Sequence, residues 1–147
     1  MKKVLFAAGL LLYVTAAFAV DPPEVSEKVL NAFKQTFYNP KEVAWYAGDN
    51  GSYEVYFKCG DITSKVWYDK EGNITTAYRY YSESSLPPVI LGKIKMKYSD
   101  KTVFGVTEIS NDAGVYYYVK LEDAKNWITI KADALGVLEV YEKLRKA

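Results

Sequence analysis

Hydrophobic and polar positions follow two different periods along this chain, and the periods change in a repeated order. Val25, Val29, Leu30, Phe33 and Phe37 recur at the three-to-four spacing of one helix face. Pro22, Pro23 and Glu24 stand before them. That predicts a helix start there, because proline suits a first turn and an acidic group meets the positive end of the helix dipole. The period then drops to two, through Val43 and Trp45, then Tyr53, Val55 and Phe57, then Ser64, Val66 and Tyr68, then Ile74, Thr76 and Tyr78. Four short strands are predicted. Gly48-Asp49-Asn50-Gly51, Cys59-Gly60-Asp61 and Asp69-Lys70-Glu71-Gly72 supply the tight turns between them.

The same order returns after Ser82-Glu83-Ser84-Ser85, a short polar linker. Pro87 and Pro88 open a second helical stretch in which Gly92 lowers helix propensity. Val106 to Ser110, Val115 to Leu121, Trp127 to Ala132 and Val137 to Tyr141 then alternate as strands. An offset of 64 residues lays Gly72 on Gly136, Tyr53, Val55 and Phe57 on Tyr117, Val119 and Leu121, and Val66 on Ile130. Upstream the offset is 65, matching Pro23, Val25, Val29 and Phe33 with Pro88, Ile90, Ile94 and Tyr98. The expected fold is therefore α+β, two tandem repeats over 20–82 and 83–147, each a helix on a four-stranded antiparallel sheet. A unit of about sixty residues buries too little surface to stand alone, so the two are expected to join as one larger curved sheet.

The run Pro23-Glu24-Val25, Val29-Leu30, Ala32-Phe33, Phe37-Tyr38-Asn39-Pro40, Lys41-Glu42-Val43-Ala44-Trp45, Gly51-Ser52-Tyr53-Glu54-Val55 and Tyr68-Asp69-Lys70-Glu71-Gly72-Asn73 resembles the exported PepSY-like family, also described as β-lactamase-inhibitor-like. The resemblance extends over essentially the whole chain after the leader. It implies tandem units whose sheets form a curved surface, the surface with which true inhibitors of this architecture grip their enzyme. This chain lacks the disulfides of those inhibitors, and no inhibitory residue carries over to it.

The amino terminus sets the compartment. Lys2 and Lys3, an apolar run from Val4 to Val14 and Ala17-Phe18-Ala19 form the three parts of a secretory signal peptide over 1–19, with cleavage expected after Ala19. The product is expected in the periplasm or outside the cell, without a membrane anchor. Loss of Lys2 and Lys3 leaves 17 basic against 18 acidic residues, a formal charge of −1. Such a balance makes no electrostatic case for nucleic acid or an anionic membrane. Cys59 is the only cysteine. It cannot form an internal bridge, and a small buried hydrophobe is its expected role, with a cross-link between chains as the alternative.

Catalytic options are few. The chain has no His, which removes the commonest general base and metal ligand together with the Ser/His and Cys/His nucleophile pairs. Asp69 with Glu71 and Glu122 with Asp123 are carboxylate pairs at predicted turns. Asp69 to Asn73 has its Gly in the fourth place, where a calcium loop of EF-hand type needs it sixth. No cofactor or metal site is expected.

Alternation instead points to a face. If Tyr53, Val55, Phe57 and Val66 look toward the helix, then Glu54, Tyr56, Lys58, Lys65 and Trp67 look away, as do Tyr116, Tyr118, Lys120, Trp127, Thr129 and Lys131 in the second half. Tyr46, Arg79, Tyr81 and Tyr141 are assigned to the same side. The candidate partner-binding set is Tyr46, Tyr56, Trp67, Arg79, Tyr116, Tyr118, Trp127, Lys131 and Tyr141. Rings interleaved with cations suit recognition of a protein, such as a secreted or envelope enzyme, or of a glycan or small molecule. The same composition also serves a wet sheet face stacked across its strands, and alternation alone does not separate the two.

Overall fold

A computed structural model describes residues 23–147. The signal-peptide assignment to 1–19 lies outside the described residues. Helix α1 (Glu27–Thr36) is followed by strands β1 (Lys41–Ala47), β2 (Tyr53–Cys59), β3 (Ile62–Tyr68) and β4 (Ile74–Tyr81). Helix α2 (Pro88–Lys97) is followed by β5 (Thr102–Asn111), β6 (Gly114–Glu122), β7 (Asn126–Asp133) and β8 (Leu138–Arg145). The strands form one open antiparallel sheet in chain order, β1 to β8. All eight predicted strands and both helices are present.

Helix α1 begins three residues later than the proline pair and Glu24 suggest. Ser26 takes the cap, its Oγ accepting from the Val29 N–H at 3.5 Å. A serine oxygen satisfies an end-of-helix donor that a proline cannot. Val29 and Phe33, one turn apart, are the helix's buried residues. They meet Val55, Phe57, Val66 and Tyr68 in the first core, where the Phe33 ring stands edge-on to Phe57 at 5.1 Å and to Trp45 at 5.2 Å. Gly92 does not break α2, because it faces open space, while Ile90 and Ile94 on the inner side lock the helix onto the sheet. They build the second core with Leu86, Val106, Val119, Leu121, Ile128, Ile130 and Ala132.

The β3–β4 and β7–β8 turns share one geometry. Asp69 Oδ1 accepts from the N–H groups of Glu71 at 2.8 Å and Asn73 at 2.9 Å. Asp133 Oδ1 accepts from Leu135 and Val137, both at 2.9 Å. Gly72 and Gly136 follow at φ 85° and 77°, a region costly for a residue with a Cβ. Each turn also sits under a helix: a Cβ on Gly72 would come 3.3 Å from the Lys28 carbonyl, and one on Gly136 3.0 Å from Lys93 Nζ.

Both sheet edges are irregular. Edge strand β1 follows Pro40 and has a bulge between Lys41 and Ala44, with Glu42 at φ 52°. Edge strand β8 pairs with β7 through a register shift at Thr129/Ile130 that leaves Tyr141 without a partner, and Lys143 lies opposite Ile128 on the helix side. Cys59 is half-buried rather than fully buried, against the rim of the first core.

The Tyr68 ring is 1% exposed, and its hydroxyl has no hydrogen-bond partner among the described residues. Burial pushes its pKa up to about 12 from an ordinary 10.0. Tyr68→Phe should therefore leave stability unchanged or raise it by up to about 1 kcal/mol, read by urea unfolding at neutral pH. A phenol whose folded pKa is raised contributes stability that is intact below pH 10 and lost as pH climbs toward 12. The variant should lose less than the wild type over that window.

Candidate functional site

The inter-strand register decides which residues share a face. Val55 stands opposite Trp45 and Val66, and Val66 opposite Ala77, so these four lie on the helix side. Two residues further along β4 come Arg79 and then Tyr81, and Tyr81 stands opposite Val106 of the second core. Both helices therefore cover the same face of the continuous sheet. The other face, uncovered by α1 or α2, carries Tyr46 and Ala44 from β1, Glu54, Tyr56 and Lys58 from β2, and Thr63, Lys65 and Trp67 from β3. Tyr116, Tyr118 and Lys120 of β6 continue it, Tyr118 opposite Lys131 and Lys120 opposite Thr129 of β7, with Trp127 on the same side opposite Glu122. Tyr141 of β8 joins them by standing edge-on to Tyr118 at 5.1 Å.

Arg79 of the candidate set, and Tyr81 assigned beside it, are misplaced by the sequence reading, for both lie on the helix side. Arg79 points to the helix side, opposite buried Ser64. Its Nη1 donates to Glu108 Oε1 at 3.0 Å, and the Tyr81 hydroxyl donates to Glu108 Oε2 at 2.6 Å. Burial first, and then the Glu108 carboxylate, holds the Tyr81 phenol far above its usual range. The reason for the misassignment is parity. Strand β4 has Tyr78 and Tyr80 on one side and Arg79 and Tyr81 on the other, so polarity does not tell its faces apart. A bulge at Trp67/Tyr68 also breaks the count from β3.

The correction brings Tyr78 and Tyr80 to the open face, and Phe104 is added by a bulge between Val103 and Gly105. Sequence reasoning missed all three. Alternation in the β3–β4 hairpin could have found the tyrosines only with the bulge known. The Trp67 and Tyr78 rings meet edge to face at 4.9 Å, as do Phe104 and Trp127 at 5.0 Å.

Cations sit over these rings: Lys65 Nζ is 5.0 Å from the Trp67 centroid, Lys131 is 4.7 Å from Tyr116, and Lys120 and Lys146 are 4.9 Å and 4.3 Å from Trp127. Each contact holds an ammonium by the negative face of the ring. Glu54, 2.9 Å from Lys65, raises that lysine's pKa through its hydrogen bond.

Recesses open among them. One of about 530 Å³ is lined by Tyr46, Glu54, Tyr56, Thr63, Lys65 and Tyr80. A second, of about 370 Å³, lies at Ser52, Trp67, Thr75, Thr76 and Tyr78. A third, of about 240 Å³, includes Tyr80, Phe104, Tyr118 and Lys120. No group of His, Cys, Asp or Glu side chains among the described residues could hold a metal ion, and none of their helices is long and apolar enough to cross a membrane.

No known family's sequence profile matches the chain, and no curated protein matches it. Solved structures do. A BLIP-like protein from Bacteroides fragilis is 18% identical with a TM-score of 0.64, over 86% of this chain and 92% of that one. A DUF2874 family protein from Bacteroides ovatus is 19% identical at TM-score 0.60, over 84% and 87%. A Bacteroides eggerthii protein with a provisional periplasmic description is 16% identical at TM-score 0.59, over 84% and 90%. At these identities the likeness is one of fold.

Arg79 and Glu108 bridge β4 and β5, so their removal tests the helix-side placement. Glu108→Ala, which leaves a buried Tyr81 hydroxyl without its acceptor, should cost about 1–3 kcal/mol in urea unfolding. Arg79 is 42% exposed. Its double-mutant coupling to Glu108 should accordingly be no more than about 1 kcal/mol.

Proposed function

We propose that this chain is an exported, non-catalytic binding module that recognises a secreted or envelope protein through the open face of its sheet. The carrying observation is that face itself, a continuous field of Tyr, Trp and Phe rings interleaved with lysines and left uncovered by both helices. Tyr46 is 54% exposed and Phe104 63%. Rings of this kind offer contact area at low entropic cost, and enrichment in Tyr, Trp and Phe is a mark of protein interfaces. Export is supported by the leader-like start of the sequence and by the periplasmic description given to one of the structural neighbours. The BLIP-like neighbour supports an inhibitor-like role, in which the sheet clasps an enzyme.

The same reading takes 20–82 and 83–147 as diverged copies of one unit. Its support is the identical element order, the matching Asp-x-x-Gly turns and the lysines 65 positions apart, Lys28 and Lys93, that lie over those turns. Duplication explains why a binding face spans both halves. Each copy supplies four strands with the same inward and outward parity.

A second reading is favoured by the recess at Trp67. There the indole and the Tyr78 ring stand beside the hydroxyls of Ser52, Thr75 and Thr76, a combination that suits stacking and hydrogen bonding of a sugar. Titration of intrinsic tryptophan fluorescence with envelope glycans separates the two, since a stacked indole responds saturably and Trp67→Phe removes that response.

Replacing Tyr56, Trp67, Tyr118 and Trp127 with Ser, Gln, Ser and Gln should abolish affinity capture of the wild-type partner while the circular dichroism spectrum and a cooperative unfolding transition, at a lowered midpoint, show that the variant is folded. A folded quadruple variant that retains the same partner would exclude the open face as the binding surface.

A further inference from the structure

The bulge in β5 does more than turn Phe104 outward. Register with β6 slips between Val103 and Gly105, so Gly105 comes opposite Lys120 and offers no side chain to the open face. The result is the recess of about 240 Å³, with the Tyr80, Phe104 and Tyr118 rings around Gly105, Thr107 and Lys120. Nothing in the backbone demands glycine there. Position 105 is not among the glycines at positive φ, and an added Cβ would come no closer than 4.0 Å to the Tyr81 carbonyl oxygen. The space is open, and a larger residue would fill it.

Charge marks what the recess takes. Four lysines lie over rings of this face, and three answer a carboxylate: Lys65 with Glu54 at 2.9 Å, Lys131 with Glu139 at 3.5 Å and Lys146 with Glu122 at 2.8 Å. Lys120, over the Trp127 ring, has no carboxylate within ion-pair distance among the described residues. We infer that the recess is an anchoring subsite for an acidic side chain of the protein partner, presented beside an aromatic or apolar residue. This rests on the proposed reading of the open face and adds the chemistry of its partner. The carboxylate meets the Lys120 ammonium, and the neighbouring apolar group lies on Phe104 and Tyr118. Once the partner's apolar group covers these rings, the contact loses water and the charge-assisted hydrogen bond strengthens. A basic side chain at the same place meets like charge and is rejected.

The test uses the isotope-labelled protein and blocked tripeptides followed by NMR. Acetyl-Phe-Glu-Phe-amide should shift the Gly105 amide and the Trp127 indole signals saturably, and the Gln-centred peptide should bind at least about fivefold more weakly. Lys120→Gln and Gly105→Val should each remove the response, the first by charge and the second by filling the space, with the remaining spectrum unchanged. Equal binding of the Glu and Gln peptides overturns the subsite. So does a response that misses Gly105, or a stronger response to glucuronate or to a Gln peptide with a free terminal carboxylate. If the Glu peptide fails while the quadruple aromatic variant still loses the partner, only the subsite falls. If that variant keeps the partner, the open-face reading falls as well.

Discussion

Everything about this molecule's two-sidedness depends on the backbone ladder between β4 and β5. Six consecutive residues, from Thr76 opposite Asn111 to Tyr81 opposite Val106, pair without a break. An unbroken antiparallel register carries side-chain parity across the seam, because opposite residues share a face. Had the register slipped by one, the second helix and core would have faced away from the first. The intact ladder puts α1 and α2 on one side and leaves the other to the rings.

The seam is also where the helix side changes character. The two cores share no buried residue, and between them stand Ser64, Arg79, Glu108 and the Tyr81 hydroxyl. A half-buried carboxylate is met there by two donors, which offset the cost of its partial removal from water. The arrangement ties the strands of the seam together by polar contacts that are sensitive to geometry, and it adds directional constraint to the non-directional burial on either side. On the open side the analogous work is done by aromatic pairs and by lysine stems laid along rings, which keep their charge near water while covering apolar surface.

Most of this was legible in the residues. Alternation located all eight strands, the turn residues placed the hairpins, and Val29 with Phe33 and Ile90 with Ile94 identified the inner faces of both helices. What escaped was local. The start of α1 moved to Ser26 because a capping side chain outweighs a proline signal. Arg79 changed sides because β4 is aromatic and polar on both faces and is reached through a bulge. Phe104 was hidden for a similar reason, since an inserted residue has no place in a strict period of two. The register across a bulge is set by pairing between distant segments, which a one-dimensional pattern does not contain.

The irregular edges have a consequence for how such a surface can exist in a crowded compartment. An eight-stranded sheet with a ring-covered face is a template onto which further strands could add, and growth of that kind ends in fibres. On β1 the proline stops the strand from extending past Lys41, and the left-handed Glu42 interrupts the ladder. On β8 the unmatched Tyr141 breaks the parity that another copy would need, and Lys143 projects a charge into any incoming strand. With its rims closed to lateral growth, the sheet can keep a face of exposed rings at high concentration without adding strands at its edges.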